Sequence, residues 1–466
     1  MILGSQLGKR VKRREFLMLL GGTAAAWPLA ARAAAGDAGD RVRVIRGRNM
    51  TVNPVLTPSE TINPAPNLSA VDSYARRAVV ASFLGYAMDG FDLLILSFIL
   101  VPLSAALQLT PPEAGSLITW TLIGAVAGGF ISGPLSDRYG RVRVLSWTIL
   151  LFAGFTGLCA LAQGYWDLLV YRTIAGIGLG GEFGIGMALA AEAWPAHKRA
   201  RATSYVALGW QTGVLTAALL TPVLIPHIGW RGMFLVGVLP AFVAFGVRYY
   251  LGEPALFVAA TKKERINPFS VLFGDRDATR ATIGITIMTS AQNFGYYGMM
   301  IWLPSYLSTQ LGFSLTRSAL WISSTVAGGA VGMYLFGHLA DRIGRKPLFI
   351  AFQAGAMAMA FIYPQVKDPT TLLAVGAITG IFLSGMIGGY GALIAESYPT
   401  RGRATAQNVL FNIGRGAGGF GPLVVGLLAA QYSLTTALSF LVVIWALDIV
   451  ATASLIKERK GQPLAI

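Results

Sequence analysis

The chain of 466 residues is 54% hydrophobic and 12% charged, with a mean hydropathy of +0.60 and a formal net charge of +16. Soluble domains carry about 25% charged residues, so this composition excludes an ordinary soluble protein, and the confinement of Lys and Arg to short loops and tails argues against a nucleic-acid partner. One cysteine and three histidines without ligand spacing exclude a disulfide framework and predict no metal or cofactor site.

The first 49 residues have the features of an export signal. A twin-arginine pair at 13–14 precedes an apolar stretch that ends in a small-residue site at 31–33. Cleavage there would leave the new N-terminus outside the cell, in conflict with the loop charges described below. Because a polar segment follows, we expect residues 1–49 to stem from an upstream start or a fusion and residues 50–77 to form a cytoplasmic tail. A retained signal anchor and a processed leader are the alternatives.

The rest of the chain is dominated by apolar windows. About 20 predominantly apolar residues are needed to cross the hydrocarbon core as a helix. The windows lie at 78–103, 114–135, 144–162, 166–193, 202–225, 231–251, 281–307, 317–339, 347–364, 371–396, 404–430 and 433–455. We therefore predict an all-α membrane protein with twelve transmembrane helices.

Basic residues cluster in every second connection between these spans. Cytoplasmic loops are the ones enriched in Lys and Arg, so both termini are expected in the cytoplasm and the protein in a bacterial-type inner membrane. The one long polar connection, at 252–280, is predicted to link an N-terminal six-helix bundle at 78–251 to a C-terminal six-helix bundle at 281–455. A short cytoplasmic tail at 456–466 follows.

A loop motif occurs once in each half of the chain. GPLSDRYGRVR at 133–143 recurs 204 residues later as GHLADRIGRK at 337–346, and EAWPAHKRA from Glu192 matches ESYPTRGRA from Glu396 at the same offset. Two segments in one register indicate duplication, and hence two pseudo-symmetric bundles. The pattern G-x-L-[SA]-D-R-x-G-R in each half resembles the cytoplasmic loop signature of the major facilitator superfamily. This resemblance implies a secondary transporter.

The charged residues of the two repeated loops are predicted to act in gating. An Asp at the end of one span, followed by Arg and a Gly turn, can pair with cations across the interface between the bundles, with a strength that differs between conformations. The candidate gating residues are Asp137, Arg138, Arg141, Asp341, Arg342 and Arg345. The alternative is charge that is merely solvated, and we expect none of these side chains to contact substrate.

Ionisable residues inside the spans mark candidate functional positions, because each costs at least about 2.5 kcal/mol at a helix centre unless it is paired or faces water. Asp89 and Asp92 share one face of the first span and lie near the bilayer midplane. A carboxyl in such surroundings holds a proton more readily than in water, so either is a candidate proton carrier. The matching positions of the second half, Asn293 and Tyr296, are not acidic. A structural role in helix packing is the alternative.

Two arginines within the spans are candidates for binding an anion. Arg415 has the neutral Gln211 at its matching position, and its guanidinium can bind both oxygens of one carboxylate. Arg172 lies at about the depth of Asp92, which would allow an ion pair. Polar residues of spans 4, 7 and 11 complete the candidate substrate site, namely Gln292, Asn293, Tyr296, Asn412 and Glu182. The alternative is ordinary interhelical hydrogen bonding or ion pairing.

Longer segments narrow the resemblance. FLGYAMDGFDLLIL, GLGGEFG and GWRGMF resemble the sialate:proton symporter family, which includes carriers of lactate and related monocarboxylates. RATAQNVLFNIGRGAGGFGPLVVG, which contains Arg415, is similar instead to the aromatic acid:proton symporters. Both resemblances imply proton symport of an organic anion by alternating access between the two bundles.

We therefore predict a proton-coupled importer of a small carboxylate, either a monocarboxylate of the lactate or sialate kind or a benzoate-type acid. Its partners are protons, the carboxylate and the lipid bilayer, and it is expected to work as a monomer. It is not predicted to be an enzyme, because the sequence has no nucleophile with its base and no phosphate-binding loop. A drug:proton antiporter and a non-transporting membrane sensor are the other classes that remain open.

Overall fold

The computed structural model describes residues 73–462, except 240–241, 243–245, 247–249, 262–266, 268 and 314. The export-signal-like segment predicted at 1–49, and the cytoplasmic tail predicted at 50–77 apart from its last residues, lie outside the described residues. Within the described part of the chain, all regular secondary structure is helical. The predicted all-α class is confirmed.

The helices of the first half follow the predicted spans. They are α1 (Ser73–Leu107), α2 (Pro111–Tyr139), α3 (Arg141–Leu158), α4 (Tyr165–Ala193), α5 (Arg199–Val236) and the short α6 (Ala255–Thr261). A capping box starts α2, because Glu113 Oε2 accepts the N–H of Thr110 at 2.8 Å while Thr110 Oγ1 accepts the N–H of Glu113. These hydrogen bonds lower the pKa of Glu113.

The helices of the second half are more often interrupted. They are α7 (Arg276–Leu311), α8 (Leu315–Ile343), α9 (Arg345–Ile362), α10 (Pro369–Gly385), α11 (Ile387–Ser397), α12 (Arg403–Gly418), α13 (Gly421–Gln431), α14 (Leu434–Ser439) and α15 (Leu441–Leu455). Each of the last three predicted spans is therefore two helices in succession, with the interruptions at Met386, at Gly419 and Phe420, and at Phe440. Hydropathy windows do not detect such short breaks.

Eight helical segments in the described residues are long and apolar enough to cross a membrane, or nine if the bent α5 counts as one span. α1 and α7, with 35 and 36 residues, are outside that set although both are long enough. The predicted fifth and sixth spans run together in α5, which bends at Gly229, where φ is 62°. A left-handed φ favours glycine. The second part of the predicted sixth span includes residues outside the described set.

Helix packing positions the residues discussed below. In the first half α1 packs on α5 and α2 on α4, and in the second half α7 packs on α12 and α8 on α10. The halves meet where α2 and α4 contact α12 and where α5 contacts α8 and α11. Close approach needs glycine at some crossings: a Cβ added to Gly213 would lie 1.9 Å from the Ala87 carbonyl oxygen.

Candidate functional site

Two carboxyl groups without hydrogen-bond partners lie together between α1 and α4. Asp89 is 0% exposed and Glu182 is 2% exposed, and none of their four carboxyl oxygens has a hydrogen-bond partner among the described residues. Gly85, one turn before Asp89, leaves room for the longer acid: a Cβ added there would lie 2.7 Å from Glu182 Oε2. A charged carboxylate is costly in such a place. The arrangement therefore favours binding of a proton.

Asp92 has a different environment from Asp89. Its Oδ2 lies 2.9 Å from Arg172 Nη1, and Thr156 Oγ1 donates to its Oδ1 at 2.9 Å. Arg172 Nε in turn donates to Thr121 Oγ1 at 3.4 Å. The ion pair that the sequence allowed is thus present, and it occupies the arginine that was the second candidate for binding an anion.

Arg415 on α12 is a buried cation at the contact between the two halves. Its guanidinium carbon lies 5.2 Å from the centre of the Trp210 ring, and Tyr297, Tyr86 and Asp89 are its electrostatic neighbours. In the part of the chain that the structure describes, no carboxylate lies within ion-pair distance of it. Arg415 is therefore better placed than Arg172 to receive a carboxylate from a substrate.

Three side-chain amides that were predicted for the substrate site each donate to a backbone carbonyl of a helix. Gln292 Nε2 donates to the Leu383 carbonyl at 2.5 Å, Asn293 Nδ2 to the Thr289 carbonyl at 2.8 Å, and Asn412 Nδ2 to the Gly180 carbonyl at 2.9 Å. Hydrogen bonding within and between helices, the alternative to substrate binding, accounts for these donated hydrogen bonds. The amide oxygens of Gln292 and Asn412 have no partner among the described residues, so each can still accept a hydrogen bond.

Aromatic rings pack around the buried charges. The rings of Phe183 on α4 and Phe411 on α12 stack with centroids 3.6 Å apart across the two halves, and Tyr86 contacts Phe183 and Trp210 at 5.1 and 5.5 Å. The Tyr296 ring lies 5.5 Å from that of its neighbour on α7, Tyr297. The sequence analysis singled out Tyr296 but not the rings on α1, α4 and α5. These rings belong to apolar runs in which no pattern distinguishes them.

At the C-terminal end of α2, charged residues join the two halves. Arg141 Nη1 lies 2.7 Å from Asp137 Oδ1, and its Nη2 lies 3.0 Å from Glu192 Oε1. Arg403 of the second half contacts the same Glu192 oxygen at 2.9 Å. Asp137 accepts the Thr405 N–H at 2.8 Å and its hydroxyl at 2.6 Å. Five side chains thus form one buried cluster across the interface.

The second copy of the motif builds the same cluster with the halves exchanged. Arg345 contacts Asp341 at 3.2 Å and Glu396 at 2.8 Å, and Arg199 of the first half reaches the same Glu396 oxygen at 2.9 Å. Asp341 accepts the N–H of Ala200 at 3.1 Å. Together the two clusters hold the halves against each other. We call them the cytoplasmic closure, because the sequence predicts their loops on the cytoplasmic side.

The other two predicted gating residues do not join the cytoplasmic closure. The side chains of Arg138 and Arg342 are exposed, and the guanidinium of Arg138 lies 5.3 Å from the Tyr139 ring. Of the residues that bridge the halves, Asp137 and Asp341 were predicted as gating residues, whereas Glu192, Arg403 and their counterparts in the second cluster were not. Their signal was in the sequence, because they share the 204-residue offset of the loop motif.

An acidic residue after each half caps the helix that follows its motif. Glu253 accepts the backbone N–H groups at the start of α3, including that of Arg141 at 2.6 Å. Glu458 accepts the N–H of Lys346 in α9 at 2.8 Å. Both glutamates satisfy donors that a helix leaves free at its N-terminus. The sequence analysis did not identify either one.

Comparison with known proteins gives a consistent result. The family model described as Major Facilitator Superfamily matches residues 82–366 and 320–465. A "Putative metabolite transport protein" of Haemophilus influenzae is 61% identical over 84% of this chain and 99% of its own length. The "Cis,cis-muconate transport protein" of Acinetobacter baylyi is 32% identical over 83% of this chain and 95% of its own. The solved proton:xylose symporter XylE has a TM-score of 0.73 at 19% identity and covers 85% of this chain and 98% of its own.

Proposed function

Because the chain belongs to the Major Facilitator Superfamily, a family of membrane transporters and not of enzymes, we propose that it is a proton-coupled symporter that takes up a small organic carboxylate. In general terms, the protein is a multi-pass membrane transporter of metabolites. The proposal adds an inner-membrane location with both termini in the cytoplasm, and function as a monomer. It also assigns the conformational change to the two predicted six-helix bundles, which are joined at 252–280 and move relative to each other.

The observation that carries the proposal is Arg415, a buried arginine at the contact between halves without a carboxylate within ion-pair distance in the described residues. A guanidinium without a counter-ion is costly in a membrane interior, and a substrate carboxylate would remove that cost by a bidentate contact. Asn412 offers no further donor, because both of its amide hydrogens are used, and Gln292 has one left at most. The substrate anion would thus be bound chiefly by one arginine.

Proton coupling is assigned to Asp89, with Glu182 beside it as a second carboxyl group. Asp89 is an electrostatic neighbour of both Arg415 and Asp92. A proton on Asp89 would leave Arg415 free to bind the substrate anion, whereas a charged Asp89 would compete for it. Asp92 is paired with Arg172 and is assigned a structural role. The loaded site then carries one substrate anion and one proton.

The cytoplasmic closure is assigned the gating step. In the conformation described here its ion pairs join the halves at the cytoplasmic end. Alternating access requires these contacts to break when the site opens inward. Arg141 and Arg345 position the two glutamates within their own halves, and Asp137 and Asp341 accept N–H groups from the opposite half. Arg138 and Arg342 are assigned only to membrane topology.

The rings around Arg415 favour a flat, unsaturated acid over a saturated one. Trp210 and Tyr86 lie beside the guanidinium, and aromatic faces pack well against a conjugated carboxylate. The relative whose printed name refers to cis,cis-muconate, a conjugated acid, is in line with this choice. Lactate-like and sialate-like anions are the second choice within the same mechanism.

Uptake into proteoliposomes tests this function. We expect an acidic exterior to increase uptake of labelled benzoate above that of protein-free vesicles, with lactate, sialate and cis,cis-muconate as comparison acids. R415Q should abolish the protein-dependent part. R231Q is the matched control, because Arg231 also stacks on a tryptophan, Trp230 at 4.1 Å, but lies outside the site. Expulsion of substrate by external acid would indicate an antiporter, and no protein-dependent flux of any acid would favour a sensor.

A further inference from the structure

A second buried acid lies in the other half of the protein, away from the site described above. Asp448 on α15 is 0% exposed, and neither of its carboxyl oxygens has a hydrogen-bond partner within the described chain. No Arg, Lys or His of the described residues lies within ion-pair distance of it. A charged carboxylate would be strongly disfavoured here, whereas the protonated acid would not.

The neighbours of Asp448 supply what a protonated acid needs. Gln353 on α9 is its side-chain neighbour; the amide nitrogen of Gln353 donates to Thr452 Oγ1 at 2.7 Å, and its oxygen lacks a donor in the described residues. A protonated Asp448 brings a donor that its charged form lacks, and its neighbour Gln353 has an amide oxygen that is free to accept. The titratable group that faces the acid from α11 is the Tyr390 hydroxyl. α7 contributes the apolar surface around Trp445, where Gly295 permits close contact.

Tyr390 links this acid to the interface between the halves. Its hydroxyl donates to the Met288 carbonyl on α7 at 3.0 Å, and its ring lies 5.0 Å from that of Phe349, one turn before Gln353 on α9. Its helix, α11, is held to the first half on the opposite side, because Thr203 Oγ1 and Ser204 Oγ donate to the Gly388 carbonyl at 3.0 and 3.2 Å. The same helix carries Glu396 of the cytoplasmic closure. α11 therefore packs against α7 and α9, the two helices that pack on α15 beside Asp448, and it is also a contact that must separate when the protein opens inward.

We propose that Asp448 is a second proton-binding site, which holds its proton while the cytoplasmic closure is intact and releases it when α11 moves away from α5. Displacement of α11 would shift Tyr390 and admit water to Asp448, which is fully buried in the closed conformation. The charged form of Asp448 would then be solvated. Closing again would require a proton to be taken back, so release and rebinding of this proton would be linked to opening and closing of the cytoplasmic closure. The inference goes beyond the proposed function and does not depend on the substrate being an organic acid.

Infrared spectroscopy of the purified protein in vesicles tests this without any substrate. The parent should show the carbonyl band of a protonated carboxylic acid that is absent from D448N. In E192Q/E396Q, which breaks the cross-half ion pairs of the two glutamates, this band should fall by at least half at the same pH. D277N is the matched control, because it breaks the exposed Lys457–Asp277 pair outside the closure, and it should leave the band unchanged.

Opening is scored separately, by maleimide labelling of S204C in a C159S background. The amplitude of the Asp448 band should fall in proportion to the labelled fraction across the single and double closure variants. The proposal would be overturned if D448N kept every protonated-acid band of the parent. It would also be overturned if the Asp448 band stayed constant while labelling rose. If D448N is not recovered folded, Q353L serves instead: removal of the acceptor should shift the same band, and an unshifted band would equally overturn it.

Discussion

Asp92 and Arg172 form a buried ion pair that joins α1 to α4, with 2.9 Å between Oδ2 and Nη1 and side-chain exposures of 2% and 0%. Three residues earlier, Asp89 on the same helix has no hydrogen-bond partner in the described structure. The two aspartates were equivalent candidates in the sequence. Their surroundings now distinguish an acid that is paired with an arginine from one that has no partner.

The ion pair predicts that removal of one partner is worse than removal of both. R172Q should leave Asp92 as an uncompensated buried charge and destabilise the protein by about 3 kcal/mol. D92N/R172Q should recover much of that loss. Thermal unfolding in detergent measures both, with R231Q as a control for loss of an arginine elsewhere. A double variant no more stable than R172Q would show that the pair is not held as a unit.

The two aspartates should also differ in transport. D89N removes an unpartnered acid, so we expect a stable protein whose uptake has lost its dependence on external pH. D92N should mainly reduce stability, and the transport that remains should keep the pH dependence of the parent. Initial rates of benzoate uptake over a range of external pH separate the two. The opposite assignment of pH dependence would move the proton site to Asp92.

The cytoplasmic closure predicts energetic coupling across the halves. E192Q and R403Q each break the contact between the halves and leave a buried charge, so each should slow uptake at least tenfold. The double variant E192Q/R403Q should be no slower than the worse single variant, because residues in one ion-pair cluster are not additive. A double-mutant cycle on initial uptake rates measures this. Strict additivity would mean that the two residues act separately.

The two helix caps should contribute unequally to stability. Glu253 accepts three backbone N–H groups at the start of α3, including those of Val142 and Arg143, whereas Glu458 accepts one at the start of α9. We expect E253A to cost about 1 kcal/mol or more and E458A less. Denaturation of the two variants side by side measures the difference. Equal effects would argue that the caps work mainly through other contacts.

The fold was largely predictable because hydropathy windows, loop charge and the internal repeat are all local signals. They gave the all-α membrane class and, in outline, the helices of both halves. They could not show the interruption at Met386 or the merging of two spans at Gly229, since a one-residue change in backbone geometry leaves average hydropathy unchanged. The depth estimate that matched Arg172 to Asp92 succeeded because both lie on regular helices.

The site was less predictable, because its contacts join residues far apart in the chain. Glu192 and Arg403 carried the repeat signal, yet nothing local indicates that each motif is completed by the other half. Asp448 illustrates a different failure. It is the one acid in the apolar window 433–455, so the cost of burying a charge should have marked it. Its lack of a partner became visible only when α9 and α11 were placed around it.

The central claim is that a proton and an organic anion enter together. Its most direct measurement is the internal pH of proteoliposomes, followed with a trapped dye, when benzoate is added outside with no imposed gradient. The account predicts internal acidification beyond that of protein-free vesicles, which R415Q reduces to the protein-free level and R231Q does not. Internal alkalinisation, or an identical response of the parent and R415Q, would contradict it.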